Sequence, residues 1–323
     1  MSSAAQAGIV AGVPSADEIF SVSPADFGAL EERVLRYQGQ SSPVYARYSL
    51  VGKYLPIEAF KFGPVCDHDS ADSERIFLSS GTSGTRRARH YVRRLSLYNR
   101  SIEAGFERVF GPGPFRVLAC LPSYAPESSL VYMAARLMET FGTRGSGFFL
   151  EYSDLLREAV DAPGAPILIL GAAFGLLDLL EKEAVPLPDD AIVIETGGMK
   201  THRRSIARTE LHARIGEGFA LPESRIWSEY GMCEMLSQCY ARAGEPFRTP
   251  PWMRVSVRDP HDPSLELPDG VPGALAVVDL ANAHSVSAIL TQDRGVARCG
   301  GFDVLGRLSG AELRGCNNLL ERA

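Results

Sequence analysis

Four short apolar runs constrain the fold more than any other feature of the chain: RIFLSS (75–80), FRVLACL (115–121), PILILG (166–171) and AIVIET (191–196). Each has strand length and lacks the strict polar alternation of a half-exposed strand, so each fits a sheet covered on both faces. Around them, SLYNRSIEAGFERVF, SSLVYMAARLMETF and RSIARTELHARIGEGF carry apolar residues at helical spacing. Alternation of strands and helices predicts an α/β architecture of layered sheets with helices. Turn-rich breaks at GPGP (111–114), DAPGAP (161–166), VPLPDD (185–190) and DPHDPSLELPDGVPG (259–273) divide the chain into short units. Beyond the last break, ALAVVDL and SVSAILTQD predict a more β-rich sub-lobe.

The 323 residues are 45% hydrophobic and 22% charged, enough for an extensive buried core and against disorder. A net charge of −6 leaves no basic footprint for nucleic acid. No apolar run is long enough to span a bilayer, and the first twenty residues have neither the basic nor the apolar region of a secretory signal. The six cysteines are scattered and form no CxxC, which argues against a disulfide framework or a zinc site and fits a reducing cytoplasm.

The chemistry gathers first in FLSSGTSGTRR (77–87). Ser79, Ser80, Gly81, Thr82, Ser83, Gly84 and Thr85 offer hydroxyls and close backbone approach to an anion. A Walker loop would end in Gly-Lys-Ser/Thr and open a helix, whereas this tract ends in Arg86 and Arg87 and runs into ARHYVRR, a further strand. It is therefore a nucleotide cradle of another kind or a plain hairpin turn. SEYGMCEM (228–235), LTQDRG (290–295) and GRLSGAELRGC (306–316) follow in order.

In that order and spacing the chain resembles the adenylate-forming enzymes, whose large lobe uses a Ser/Thr/Gly-rich loop, then YGxTE, TGD and a GR hinge. More narrowly it resembles the LuxE-like acyl-protein synthetases of bacterial bioluminescence, through RYQGQSSPVY, PIEAFKFG, SSGTSGTRRARH, LPSYAPESSLVYM, ILGAAFGLLDLLE, ETGGMK, SEYGMCEMLSQCY, DLANAHSVSAILTQDRG and GFDVLGRLSGAELRGC. These segments run from about residue 35 to the C-terminus. The resemblance implies a large adenylate-forming domain over 1–305, a truncated hinge and tail over 306–323, and no C-terminal lid domain. ATP and Mg²⁺ would be the cofactors.

The implied roles fall on residues of the matching motifs. The tract from Ser79 to Thr85 would hold the β- and γ-phosphates. Tyr230, Gly231 and Met232 would line the adenine, and Glu234 would bind Mg²⁺. Cys233 stands where the family usually has Thr, and a thiol is a poorer donor to the α-phosphate. Asp293 would accept from the ribose hydroxyls, with Arg307 nearby; its bland alternative is a polar turn. Gly198 and Lys200 of GGMK would meet the adenylate, with Lys200 either catalytic or a surface lysine. Tyr124, Gly197 and Ser228 would face the carboxylic acid, Tyr124 alternatively lying in a plain loop.

Cys316 matches the acyl-accepting cysteine of the LuxE-like enzymes, and Arg314 would lower its pKa; the alternative is a buried, inert thiol. The implied function is activation of a fatty or other acyl acid as its adenylate, then transfer to a thiol. That thiol belongs to Cys316, a partner such as an acyl reductase, or a carrier protein. An aryl acid ligase, or a weakly active subunit scaffolding a reductase complex, are the alternatives.

Overall fold

The computed structural model describes residues 12–80, 86–122, 125–149, 153–182, 184–197 and 206–308. The strands are β1 (Leu55–Pro56), β2 (Arg75–Leu78), β3 (Arg89–Val92), β4 (Arg116–Cys120), β5 (Gly147–Phe148), β6 (Ile167–Ala172), β7 (Ile192–Thr196), β8 (Ile226–Tyr230), β9 (Cys239–Arg242), β10 (Met253–Arg258), β11 (Gly273–Asp279), β12 (Ala288–Arg298) and β13 (Gly301–Arg307). The helices are α1 (Ala16–Phe20), α2 (Phe27–Ser41), α3 (Pro43–Tyr48), α4 (Leu95–Phe110), α5 (Ser129–Phe141), α6 (Ser153–Asp161), α7 (Ala173–Lys182) and α8 (Arg208–Phe219). No helix among the described residues is long and apolar enough to cross a membrane.

The continuous apolar runs become the centre of a six-stranded sheet of order β5-β4-β6-β7-β8-β9. It is parallel from β5 to β8, and β9 closes it antiparallel. Every residue of β4 and β6 is buried, because helices cover both faces. Val117, Ala119, Leu168, Leu170 and Ile194 share one core with Ile102 and Phe106 of α4 and Met133 and Leu137 of α5. Leu118, Ile169, Val193 and Ile226 turn the other way, onto Leu176 of α7 and Leu211 and Ile215 of α8. Alternation of side chains along each strand sorts them between the two faces. Local signals set the helix ends. Ser128 caps α5 through its hydroxyl, and α4 stops at Gly111, whose φ of 85° suits glycine.

The β-rich part is a second sheet, β1-β12-β11-β10, with β13 paired to β12. The strand expected within SVSAILTQD starts at Ala288 and continues to Arg298, because β11 and β13 pair with it on its two sides. β13 runs across the 305/306 boundary expected between domain and hinge. The expected helix RSIARTELHARIGEGF begins only at Arg208, after an extended Ala207.

One buried carboxylate ties the amino-terminal segment to this sheet. Asp67 accepts from Tyr37 Oη at 2.7 Å, and contacts His284 Nδ1 at 2.7 Å and His68 Nδ1 at 3.0 Å. Burial opposes its charge, but the bonds to His284, Tyr37 and His68 outweigh burial and hold the carboxyl down to about 2. With the folded value below the unfolded one, its stabilisation is present above about pH 4 and is lost as pH falls toward 2. Thermal unfolding across that window should show a shallower acid limb for Asp67→Asn than for the wild type; equal limbs would show that another group governs acid sensitivity.

Candidate active site

The tract at 77–87 sits on a hairpin. β2 and β3 pair antiparallel, Leu78 opposite Arg89, so the chain enters a strand after the tract, as the sequence implied. Gly81, Thr82, Ser83, Gly84 and Thr85 lie outside the described residues. At the hairpin's base Ser79 is buried; its amide donates to Ala88 O and its hydroxyl accepts from Ala88 N at 2.9 Å. Arg87 donates to Ser79 O at 2.6 Å and pairs with Glu127, so its guanidinium braces the hairpin, while Arg86 lies over the Phe62 ring.

The YGMCE segment forms the loop that reverses the chain between β8 and β9. Two polar anchors hold it. Asp279, at the end of β11 and fully buried, accepts from Leu236 N, Ser237 N, Ser237 Oγ and Ala281 N at 2.7–3.1 Å. His90 of β3 is the second anchor: its Nδ1 lies 2.8 Å from Cys233 O and its Nε2 2.9 Å from Asn282 Oδ1. Asn282 Nδ2 donates to Glu234 O at 2.9 Å. Burial pushes the His90 imidazole down to about 4, against the effect of both hydrogen bonds. Hairpin and loop are thus joined through one ring.

Tyr230, at the end of β8, donates its hydroxyl to Asp293 Oδ2 at 3.0 Å, and its ring packs on Phe302 and Phe247. Arg307 donates through Nη1 to Asp293 Oδ1 at 2.6 Å and through Nη2 to Gln292 Oε1 at 2.9 Å. Thr291 Oγ1 accepts from Asp293 N at 3.0 Å and orients it. Three motifs far apart in sequence therefore meet at one carboxylate. Burial, with the charge of Asp293 adding, raises the Tyr230 phenol well above its ordinary value, so it stays a donor.

Other expected site residues stand differently. Glu234 is 1% exposed and lies in the anchored loop. Among the described residues no group of three or more His, Cys, Asp or Glu could hold a metal. A single carboxylate such as Glu234 suits a hard cation only where phosphate oxygens complete the shell. Cys233 is buried, and Met232 packs partly against the core. Gly197 follows β7 and is exposed; a Cβ there would meet no atom of the described residues within 4 Å. Ser228 stands apart from this group. Its hydroxyl faces α8, donating to Glu195 Oε1, accepting from Arg208 Nε at 2.9 Å and lying 2.9 Å from His212 Nε2. Tyr124, Gly198, Lys200 and Cys316 lie outside the described residues. Cys120 is a core thiol, pushed up to about 12 by burial.

Sequence reasoning passed over His90, Asn282, Asp279 and Glu229. For Asp279 and Glu229 the available signal was a carboxylate closing or interrupting an apolar strand, as in ALAVVDL and RIWSEY. Glu229 is 8% exposed, and burial, with the charge of Glu195 adding, pushes its carboxyl up to about 8.

No protein-family model and no curated protein sequence matches the chain. Solved structures do. ATP-bound MatB from Rhodopseudomonas palustris aligns over 75% of this chain with a TM-score of 0.55 at 17% identity, and the chain spans 49%, about half, of that protein. An open conformation of 2-hydroxyisobutyryl-CoA ligase, in complex with 2-HIB-AMP and CoA, aligns over 94% of this chain and 81% of its own with a TM-score of 0.65 at 14% identity. Amide bond synthetase McbA from Marinactinospora thermotolerans aligns over 72% of this chain and 48% of its own, with a TM-score of 0.51 at 20% identity. The chain therefore shares the α/β fold of these solved structures.

Proposed function

We propose that the chain activates a carboxylic acid with ATP, forming an acyl adenylate, and passes the acyl group to a thiol. The observation that carries this reading is the meeting of Tyr230 and Arg307 on Asp293, beside a loop that His90 fastens to the hairpin of the Ser/Thr/Gly tract. A carboxylate reacts poorly with a thiol because oxide is a poor leaving group. In the first step an acid oxygen attacks the α-phosphorus, and the bond to the β-phosphate breaks to release pyrophosphate. In the second, a thiolate attacks the acyl carbon, the bond to the phosphate oxygen breaks, and AMP departs.

In this reading Asp293 accepts from the ribose hydroxyls, and the hairpin tract grips the terminal phosphates. Bound Mg²⁺ would neutralise phosphate charge, with Glu234 as its protein ligand. Lys200 would reach the carboxylate or the α-phosphate. The fixed loop contributes by alignment, since holding two reactants in line removes much of the entropic barrier. Cys316, at the place of the acyl-accepting cysteine in the LuxE-like enzymes, is the proposed first thiol, and an acyl reductase or carrier protein the onward acceptor.

Labelled pyrophosphate should enter ATP only when Mg²⁺ and the right acid are present. Absence of exchange across a broad acid panel would overturn the assignment. Turnover should also raise the intact mass by one acyl group, removable by hydroxylamine; the same hydroxylamine-labile increase in Cys316→Ser would reject Cys316 as the carrier.

A further inference from the structure

One row of side chains crosses the carboxyl ends of the parallel strands on the face covered by α4 and α5. It starts apolar at Ala172 of β6, opposite Thr196 of β7; Thr196 lies opposite Glu229 of β8, and Glu229 opposite Tyr240 of β9. Ligands of open α/β sheets bind in the crevice outside these strand ends. Thr196 is 0% exposed, and its hydroxyl has no hydrogen-bond partner among the described residues. Glu229 is nearly as buried, and among the described residues nothing hydrogen-bonds its carboxyl; burial and the charge of Glu195 alone shift it. Interior polar groups are ordinarily paired, so the Thr196 hydroxyl needs an explanation, and the Glu229 carboxyl stands opposite it across the strand pair.

Their surroundings point the same way. Next to Thr196, a Cβ at Gly197 would meet no atom of the described residues within 4 Å. Next to Glu229, any Cβ at Gly231 would collide with Glu229 Oε1, so the carboxyl lies against the backbone of the loop that carries Glu234. Neither group belongs to the Asp293 junction, and neither is used by the chemistry above.

We propose that Thr196 and Glu229 select the acid, hydrogen-bonding a hydroxyl or amine carried on its acyl part, so that the substrate is a hydroxy or amino acid, not a plain hydrocarbon acid. This rests on the acid-activating reading. A protonated Glu229 accepts from and donates to a hydroxyl, whereas an ammonium group would draw the ionised form; both sources share one chemistry, a donor aimed at the carboxyl. A hydrocarbon acid would leave both groups unpaired, and sites built to bond a polar group reject analogues lacking it.

Exchange measured with matched sets, each a hydrocarbon acid with its hydroxyl- and amine-bearing counterparts of equal length, tests the selection. The wild type should favour one polar member by at least about 10-fold in kcat/KM. Glu229→Leu should erase that ratio. Glu229→Gln should keep part of it if the preferred group is a hydroxyl and lose it if the group is an amine. Preference for the hydrocarbon member in every set, or an unchanged ratio in Glu229→Leu, overturns the proposal. Calorimetry of the same acids without nucleotide separates it from the ligase reading. Glu229-dependent binding of a polar acid with no exchange discards acid activation and keeps the pocket. Exchange indifferent to Glu229 does the reverse, and neither binding nor exchange overturns both.

Discussion

Asp293→Ala is expected to lose at least about 100-fold in acid-dependent exchange, since hydrogen bonds to a charged group contribute about 1.5–3 kcal/mol each and two ribose hydroxyls would lose their acceptor. The same change also takes the acceptor from Tyr230 Oη, which is buried, and from Arg307 Nη1. Calorimetric ATP titration distinguishes the effects. A nucleotide role predicts weaker ATP binding in a protein that still unfolds cooperatively, and Asp293→Asn, which keeps one acceptor oxygen, should fall between. Wild-type exchange by Asp293→Ala would reduce the carboxylate to a brace between β8 and β13 and remove the central support for the proposed function.

The second large effect is on stability. Asp279→Ala should cost about 3–5 kcal/mol, because three amides and one hydroxyl lose a buried acceptor at once. Burial raises the Asp279 carboxyl despite those four bonds, so ionisation is already disfavoured there. Asp279→Asn, carrying no charge and one acceptor oxygen, should be the milder substitution. Urea unfolding measures both, and a midpoint shift with unchanged m-value identifies a stability effect. A loss under about 1 kcal/mol for Asp279→Ala would mean that Trp252, which donates to Ser237 Oγ at 2.9 Å, holds the loop without it.

Much of this architecture was legible in the residues. FRVLACL, PILILG and AIVIET are apolar on both faces, and that pattern has few homes besides the centre of a covered parallel sheet. The resemblance implied Tyr230 at an adenine and Asp293 with Arg307 at a ribose, but not the direct bond between Tyr230 and Asp293, because no local rule puts residues 230 and 293 together. Ser228 was less legible. Side chains alternate along β8, so it shares with Ile226 the face of the sheet that α8 covers, and α8 supplies its partners. His90 and Asn282 gave no local signal. Their importance arises from a three-way meeting of the hairpin, the loop after β8 and the turn after β11, which only the folded chain displays.

The bridge made by His90 has a consequence for how such a protein diversifies. Because one ring fastens the hairpin to the loop after β8, changes in either must accommodate the other. Thr196 and Glu229 lie on a separate row and, among the described residues, share no hydrogen bond with that bridge. In the proposed reading, Thr196 can be altered toward another acid by single steps that combine additively with changes at the bridge, whereas Glu229, lying against the loop after β8, couples to it.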